Sequence, residues 1–66
     1  MDITINGRKQ QVNEGETVSN LLQRLGLQQD RVAVELNELV LKQELYAATP
    51  LKPLDRIEIL RFVGGG

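Results

Sequence analysis

The carboxyl end of the chain holds the residues with the clearest chemical use. The sequence ends Phe62-Val63-Gly64-Gly65-Gly66. Glycines offer no side chain for catalysis, but an enzyme can close a narrow channel around their backbone because they lack a Cβ atom. We therefore expect the Gly66 carboxylate to be activated by another protein, with Gly64 and Gly65 as the arm inside its channel. The alternative is a frayed tail or the remainder of a linker.

The composition argues against an autonomous enzyme. The chain has 66 residues, near the size at which one hydrophobic core only just offsets chain entropy. It contains no cysteine and no histidine, which removes thiolate nucleophiles, the usual zinc ligands and the side chain best suited to proton transfer near neutral pH. We expect no catalytic residues, no metal site and no cofactor bound by the chain itself.

The charge pattern argues against nucleic acid and membrane partners. The formal net charge is −1, and the basic residues are scattered rather than grouped in a stripe. No apolar run approaches the roughly 20 residues that a bilayer span needs, and Met1 leads directly into a strand pattern without the features of a signal peptide. The sequence therefore predicts a soluble, cytoplasmic protein.

A hairpin is predicted at the amino end. Met1, Ile3 and Ile5 alternate with polar residues, which is typical of a strand with one buried face. Asn6-Gly7 tolerates the positive φ angles of a type I′ turn. Residues 8–12 should therefore fold back as a second, edge strand.

One amphipathic helix is predicted after Thr17, a good N-cap residue. Its apolar stripe has the spacing i, i+3, i+4 and i+7, and consists of Val18, Leu21, Leu22 and Leu25. Gly26 should end the helix in the left-handed conformation, with Leu27 folding back against Leu22 in a Schellman motif. Core packing is favoured over partner docking for this stripe, because so small a domain has no other good helix face.

The second half of the chain predicts two further strands and a final one. Residues 32–36 alternate as a third strand, residues 39–41 form a short apolar run, and residues 42–49 fit either a helical turn or a loop. We expect Tyr46 to cover an edge of the core. In the final strand, Ile57 and Ile59 share one face, while Glu58, Leu60 and Phe62 share the other.

The order hairpin, helix, strand, short strand, final strand predicts an α+β protein with the β-grasp, or ubiquitin-like, fold. A single helix can cover only one face of a mixed four- to five-stranded sheet. The first and last strands should lie side by side and parallel, with the helix in the crossover between them. We expect one domain over residues 1–63 and a flexible arm over residues 64–66.

The chain resembles the ThiS family, the small sulfur carrier proteins of thiamin biosynthesis. The resemblance rests on four stretches in order: Ile3-Thr4-Ile5-Asn6-Gly7, residues 16–22, residues 31–37, and Asp55-Arg56-Ile57-Glu58-Ile59 leading to the terminal glycines. Two turns depart from the family pattern. Members often carry glycine after the Asn37 position and an Asp-Gly-Asp-like turn before the last strand, where this chain has Glu38 and Pro53-Leu54-Asp55.

The resemblance implies a carrier whose Gly66 carboxylate is adenylated by a ThiF-like adenylyltransferase that uses ATP and magnesium. The acyl adenylate would then become a thiocarboxylate, with sulfur from a donor such as a cysteine desulfurase system. The sulfur would pass to ThiG, the thiazole synthase. None of the groups that neutralise the phosphoryl charge is expected in this chain, so the partner must supply them.

Docking to such partners needs more than the arm. Three apolar residues precede the arm: Leu60, Phe62 and Val63. Leu60 and Phe62 are predicted to point away from the core face, where they could anchor the domain. Glu35 and Glu58 could frame them and meet basic residues of a partner. Arg61 could pair with a partner carboxylate. The alternative for each is an ordinary surface side chain.

Three other functions fit parts of the same pattern. The small subunit of molybdopterin synthase resembles this chain in fold and uses a terminal thiocarboxylate, but it is usually longer. A ubiquitin-like modifier would use Gly66 to form isopeptide bonds to lysines. A non-covalent binding module would not need the glycines at all.

Overall fold

The computed structural model describes residues 1–62. Val63, Gly64, Gly65 and Gly66, which carry the predicted arm, lie outside the described residues. The strands are β1 (Asp2–Ile5), β2 (Arg8–Gln11), β3 (Val32–Leu36), β4 (Leu39–Leu41) and β5 (Arg56–Arg61), and the α-helix is α1 (Val18–Arg24). Two 3₁₀ segments span Gln29–Arg31 and Gln43–Ala48. The division into a domain over residues 1–63 and an arm over residues 64–66 stays a prediction.

The five strands form one mixed sheet in the order β2-β1-β5-β3-β4. The central strand β5 is parallel to β1 and antiparallel to β3, and both outer pairs are antiparallel hairpins. The chain segment that contains α1 makes the crossover that two parallel neighbours require. This arrangement confirms the predicted β-grasp fold, with its carboxyl-terminal strand in the middle of the sheet.

The first hairpin turns at Asn6 and Gly7, as predicted. Their φ angles are 49° and 82°, and both therefore lie in the left-handed region that a type I′ turn requires. The register pairs Ile5 with Arg8 across the turn.

The caps of α1 also form as predicted. The Thr17 hydroxyl oxygen accepts the Asn20 amide at 3.1 Å. At the other end Gly26 has φ of 75°, and the Leu27 amide donates to the Leu22 carbonyl at 2.9 Å, the long bond of a Schellman motif. The prediction for Leu25 was wrong: it is 41% exposed, because the helix ends at Arg24 and Leu25 is its C-cap residue rather than part of the stripe.

The core lies between α1 and one face of the sheet. Its buried side chains come from all parts of the chain: Ile3, Ile5, Val12, Val18, Leu21, Leu22, Val32, Val34, Tyr46, Leu51, Ile57 and Ile59. The sequence predicted that Tyr46 covers an edge of the core. Tyr46 instead lies inside the core, where it is only 2% exposed. The ambiguous segment is the 3₁₀ helix Gln43–Ala48, which packs against α1 and places this tyrosine inside. Among residues 1–62, none of the helices has the length and hydrophobicity of a membrane span.

Candidate functional site

Two exposed apolar side chains precede the glycines at the end of β5. Leu60 and Phe62 are each 61% exposed, whereas Ile57 and Ile59 are buried against the core. The alternation along β5 therefore places Leu60 on the face away from α1, as predicted. We call Leu60 and Phe62 the docking patch. Val63, predicted to extend it, lies outside the described residues.

Both predicted glutamates lie on the same open face of the sheet. The register of β3 and β5 places Glu35 opposite Glu58 and Ala33 opposite Leu60. Directly opposed residues of an antiparallel pair share a face, so the two carboxylates are neighbours of the docking patch. Glu35 is half-buried and Glu58 is exposed. The structure thus brings these residues together, while their contact with a partner stays a prediction.

Val40 belongs to this face and was missed by the sequence reasoning. It lies opposite Glu35 in the β3–β4 register and is 76% exposed. The sequence signal was present in the short apolar run 39–41, but the side chain could be assigned to the open face only once β4 was known to be an edge strand. Val40 therefore adds apolar surface on the far side of Glu35.

Arg61 lies on the other face from the docking patch. Its register partner is Val32, which is buried beneath the helix side of the sheet. The Arg61 side chain is exposed and, with Arg31, lines a cleft beside the end of α1. The predicted site residues are therefore divided between two faces at the end of β5.

Side chains from two turns hold β5 in place. Asn37 accepts the Arg56 amide at its Oδ1 (2.9 Å) and donates its own amide to the Arg56 carbonyl (2.8 Å). Asn6 bonds both backbone groups of Ile59 through its side chain alone: its Oδ1 accepts the amide and its Nδ2 donates to the carbonyl. The Phe62 amide, beyond the strand, donates to the Arg31 carbonyl at 2.9 Å. Sequence reasoning treated both asparagines as turn residues only, and missed that they position the strand that carries the patch.

The buried carboxylates have structural partners. Glu16 accepts the Asn13 amide at 3.1 Å and forms an ion pair with Arg24 at 3.0 Å. Asp55 accepts the Lys52 amide at 2.8 Å and the Asn37 Nδ2 at 3.0 Å. Within residues 1–62 no buried polar side-chain atom lacks a hydrogen bond, and no group of three or more acidic residues could hold a metal ion.

Fold and site together define a small ubiquitin-like domain whose central strand carries an apolar patch at its carboxyl end. The model of the ThiS family matches residues 2–66. The chain belongs to the ThiS family.

The fold and length of a solved relative agree with this assignment. The crystal structure of the thiamine biosynthesis protein ThiS from Geobacter metallireducens is 42% identical, covers 100% of both chains and superimposes with a TM-score of 0.85. At this identity the likeness extends to the sequence as well as the fold.

Curated relatives include proteins of very different length. A thiazole synthase from Magnetococcus marinus is 39% identical over the whole of this chain, which corresponds to 20% of its own length. The uncharacterized protein ycf40 of Pyropia yezoensis is 36% identical over 93% of its length. The chain therefore spans about a fifth of the thiazole synthases that it matches.

Proposed function

We propose that this chain is a sulfur carrier of thiamin biosynthesis and that the thiocarboxylate forms on Gly66. Membership of the ThiS family supports the carrier role. The observation that carries the proposal is the exposed docking patch at the end of β5, immediately before the arm. A protein that binds this patch receives the arm at a defined place, because β5 is fixed by its neighbours on both sides.

The chemistry needs an activated carboxylate. A Gly66 oxygen attacks the α-phosphorus of ATP and expels pyrophosphate, which gives an acyl adenylate. A persulfide from a cysteine desulfurase system then attacks the acyl carbon and expels AMP, and a thiol reduces the resulting acyl disulfide to the thiocarboxylate. ThiF-like chemistry with ATP and magnesium belongs to the adenylating partner, because metal and cationic groups must neutralise the phosphoryl charge. This requirement for ATP favours the cytoplasm.

Because the adenylating partner supplies the catalytic groups, this chain acts as a co-substrate rather than as an enzyme. Within residues 1–62 the buried carboxylates are engaged in structural bonds, and the exposed patch suits protein contact. An aromatic side chain such as Phe62 concentrates binding energy when a partner pocket encloses it. The partner would bind Leu60, Phe62 and Val63 while Gly64 and Gly65 enter its channel.

The acceptor of the sulfur is proposed to be thiazole synthase, ThiG. Support comes from the similarity of this chain to about a fifth of the length of two thiazole synthases, which places a domain of this type in the same polypeptides. A domain that shares a chain with its acceptor has a high effective concentration for transfer.

Intact-mass measurement tests the central claim. Incubation with the adenylating partner, ATP, magnesium and a sulfur donor should yield a species heavier by the difference between sulfur and oxygen, located in the terminal peptide. Deleting Gly66, or appending one alanine after it, should abolish this species because a small positional error is costly in such a displacement. Gly65→Val should be nearly as damaging, since a branched side chain narrows the fit. Equal modification of the alanine-extended chain would refute the carrier function.

The other candidate functions give different results in the same assay. Covalent adducts on lysines of other proteins would identify a modifier, and full activity without Gly65 and Gly66 would identify a non-covalent binding module. Transfer of sulfur to a molybdopterin precursor rather than to the thiazole synthase reaction would identify the small subunit of molybdopterin synthase.

A further inference from the structure

A cleft of about 240 Å³ lies on the helix side of the sheet, beside the end of β5. It is lined by Gly26, Leu27, Gln28, Arg31, Val32 and Arg61. Arg31 and Arg61 both line this cleft, and Arg31 directly precedes Val32, the register partner of Arg61. The hydrogen bond from the Phe62 amide to the Arg31 carbonyl fixes the backbone between them.

The positive charge of this cleft is not balanced by the described part of the chain. The lining contains neither aspartate nor glutamate, and both arginines are exposed. The ion pair found within residues 1–62 joins Arg24 to Glu16, so neither cleft arginine is engaged there. Two exposed arginines lining one concave surface favour an anionic ligand.

The size of the cleft restricts the ligand. Its volume is below the roughly 300–1,000 Å³ of sites that enclose drug-sized molecules, which favours a small anionic group over a whole nucleotide. A side-chain carboxylate does fit, and guanidinium groups bind carboxylates through paired, directional hydrogen bonds.

The position of the cleft indicates which protein supplies that carboxylate. Arg61 is five residues before Gly66, and an extended chain spans about 3.3–3.6 Å per residue. Any active site that holds the Gly66 carboxylate therefore lies within about 18 Å of Arg61, so the surface of that protein is close enough to reach the cleft.

We propose that Arg31 and Arg61 form a binding site for an aspartate or glutamate side chain of the adenylating partner. This inference rests on the proposed function. The docking patch contacts the partner through non-directional apolar burial, and the cleft on the opposite face adds a directional contact. Together they hold the domain from two sides of β5 and prevent its rotation about the strand axis. The arm is thereby directed toward the active site of the partner.

Matched arginine variants test the site. The double variant Arg31→Gln with Arg61→Gln should bind the adenylating partner at least about tenfold more weakly at low salt, and the difference should shrink as salt screens the charges. Arg8→Gln is the control, because Arg8 is exposed on the edge strand β2 and undergoes the same change of charge. It should stay within about twofold of the native affinity, as expected for a charge outside the contact. Arg61→Lys should fall between, since lysine keeps the charge and loses the paired geometry.

A second measurement uses the free protein with acetate as the probe. The arginine Nε–H resonances of Arg31 and Arg61 should shift on titration at constant ionic strength, while that of Arg8 stays in place. Equal shifts at all three arginines, or native affinity in the double variant, would overturn the proposal. If the native chain still becomes a thiocarboxylate in that case, the carrier function stands and only the cleft assignment fails. If the native chain neither binds the adenylating partner nor becomes modified, the proposed function fails and the assignment of the cleft to that partner fails with it.

Discussion

Asn6 bonds through its side chain to both backbone groups of Ile59, 53 residues further along the chain. Its Oδ1 accepts the Ile59 amide at 2.7 Å, and its Nδ2 donates to the Ile59 carbonyl at 3.2 Å. Strand β1 has already ended at Ile5, so the asparagine amide takes the place of the next strand residue. The parallel pairing of β1 and β5 is thereby extended toward the docking patch.

Asn6→Ala should lower the free energy of unfolding by about 1–3 kcal/mol. The change leaves two backbone groups of Ile59 without their partner, and it also replaces asparagine at a positive φ that alanine tolerates less well. Urea denaturation measures the difference. The control is Asn20→Ala on the exposed side of α1, which should change stability by less than about 0.5 kcal/mol. Equal effects of the two substitutions would show that the bond to Ile59 contributes nothing.

Leu22→Ala should destabilise the fold by about 2–5 kcal/mol, because Leu22 is fully buried in the only α-helix of residues 1–62. Leu25→Ala, at the C-cap of the same helix, is the matched control. Leu25 is 41% exposed, so its truncation should cost much less. Chemical denaturation of both variants checks the pair. A loss at Leu22 no larger than at Leu25 would contradict the placement of the core.

The fold followed from the sequence wherever a local signal and a tertiary contact agreed. Alternation at Ile57 and Ile59 predicted the core face of β5, and Gly26 predicted the end of the helix. The error at Leu25 was avoidable, since a C′ residue at Gly26 makes Leu25 the cap. Tyr46 was not predictable in the same way, because its burial depends on how the segment Gln43–Ala48 packs against α1.

The candidate site was predictable only along a single strand. The exposure of Leu60 follows from the period of β5 alone. The other contacts depend on strand order and register, which join distant parts of the chain. They place Glu35 beside Glu58 and Val40 beside Glu35, and they bring Arg31 and Arg61 to one cleft. Local periodicity carries no information about these contacts.

Burial raises the pKa of the Tyr46 phenol above its ordinary value of 10.0, against a smaller lowering effect of the Val34 backbone amide. The neutral phenol is thus favoured in the folded state. The resulting stability is fully present below pH 10.0 and is lost as pH rises from there through the folded-state pKa. Tyr46 is the one tyrosine of the chain, so its ionisation is readable directly by ultraviolet absorbance.

The titration midpoint should lie above 10.0 in the native protein and return to that value in denaturant. Tyr46→Phe should remove the part of the alkaline loss of stability that comes from this group. A native midpoint at the ordinary value would contradict the burial of the Tyr46 side chain.

Leu54→Gly should stabilise the protein by about 0.5–1 kcal/mol. Leu54 has φ of 69° and is 79% exposed, so glycine relieves backbone strain and little apolar contact is lost. Leu54 stands in the turn where ThiS family members often carry the glycine of an Asp-Gly-Asp sequence. Glu38, the other position that departs from the family's glycine pattern, has φ of 71°. The control is Gln28→Gly, at φ of −81°, which should destabilise. Thermal or urea unfolding gives the sign, and a loss of stability in Leu54→Gly would refute the strain argument.

The docking patch gives the most direct prediction about partners. Leu60→Asp and Phe62→Asp should each leave the isolated domain folded, because both side chains are 61% exposed. Each should weaken binding to the adenylating partner more than about tenfold, which corresponds to about 1.4 kcal/mol, since a charge is then buried in an apolar contact. Leu39→Asp is the control, because Leu39 is 74% exposed on the edge strand β4 and lies on the other side of the sheet from Leu60. Calorimetric titration of the three variants decides the matter: native affinity in the two patch variants, or an equal loss in the Leu39 control, would show that the partner does not use this surface.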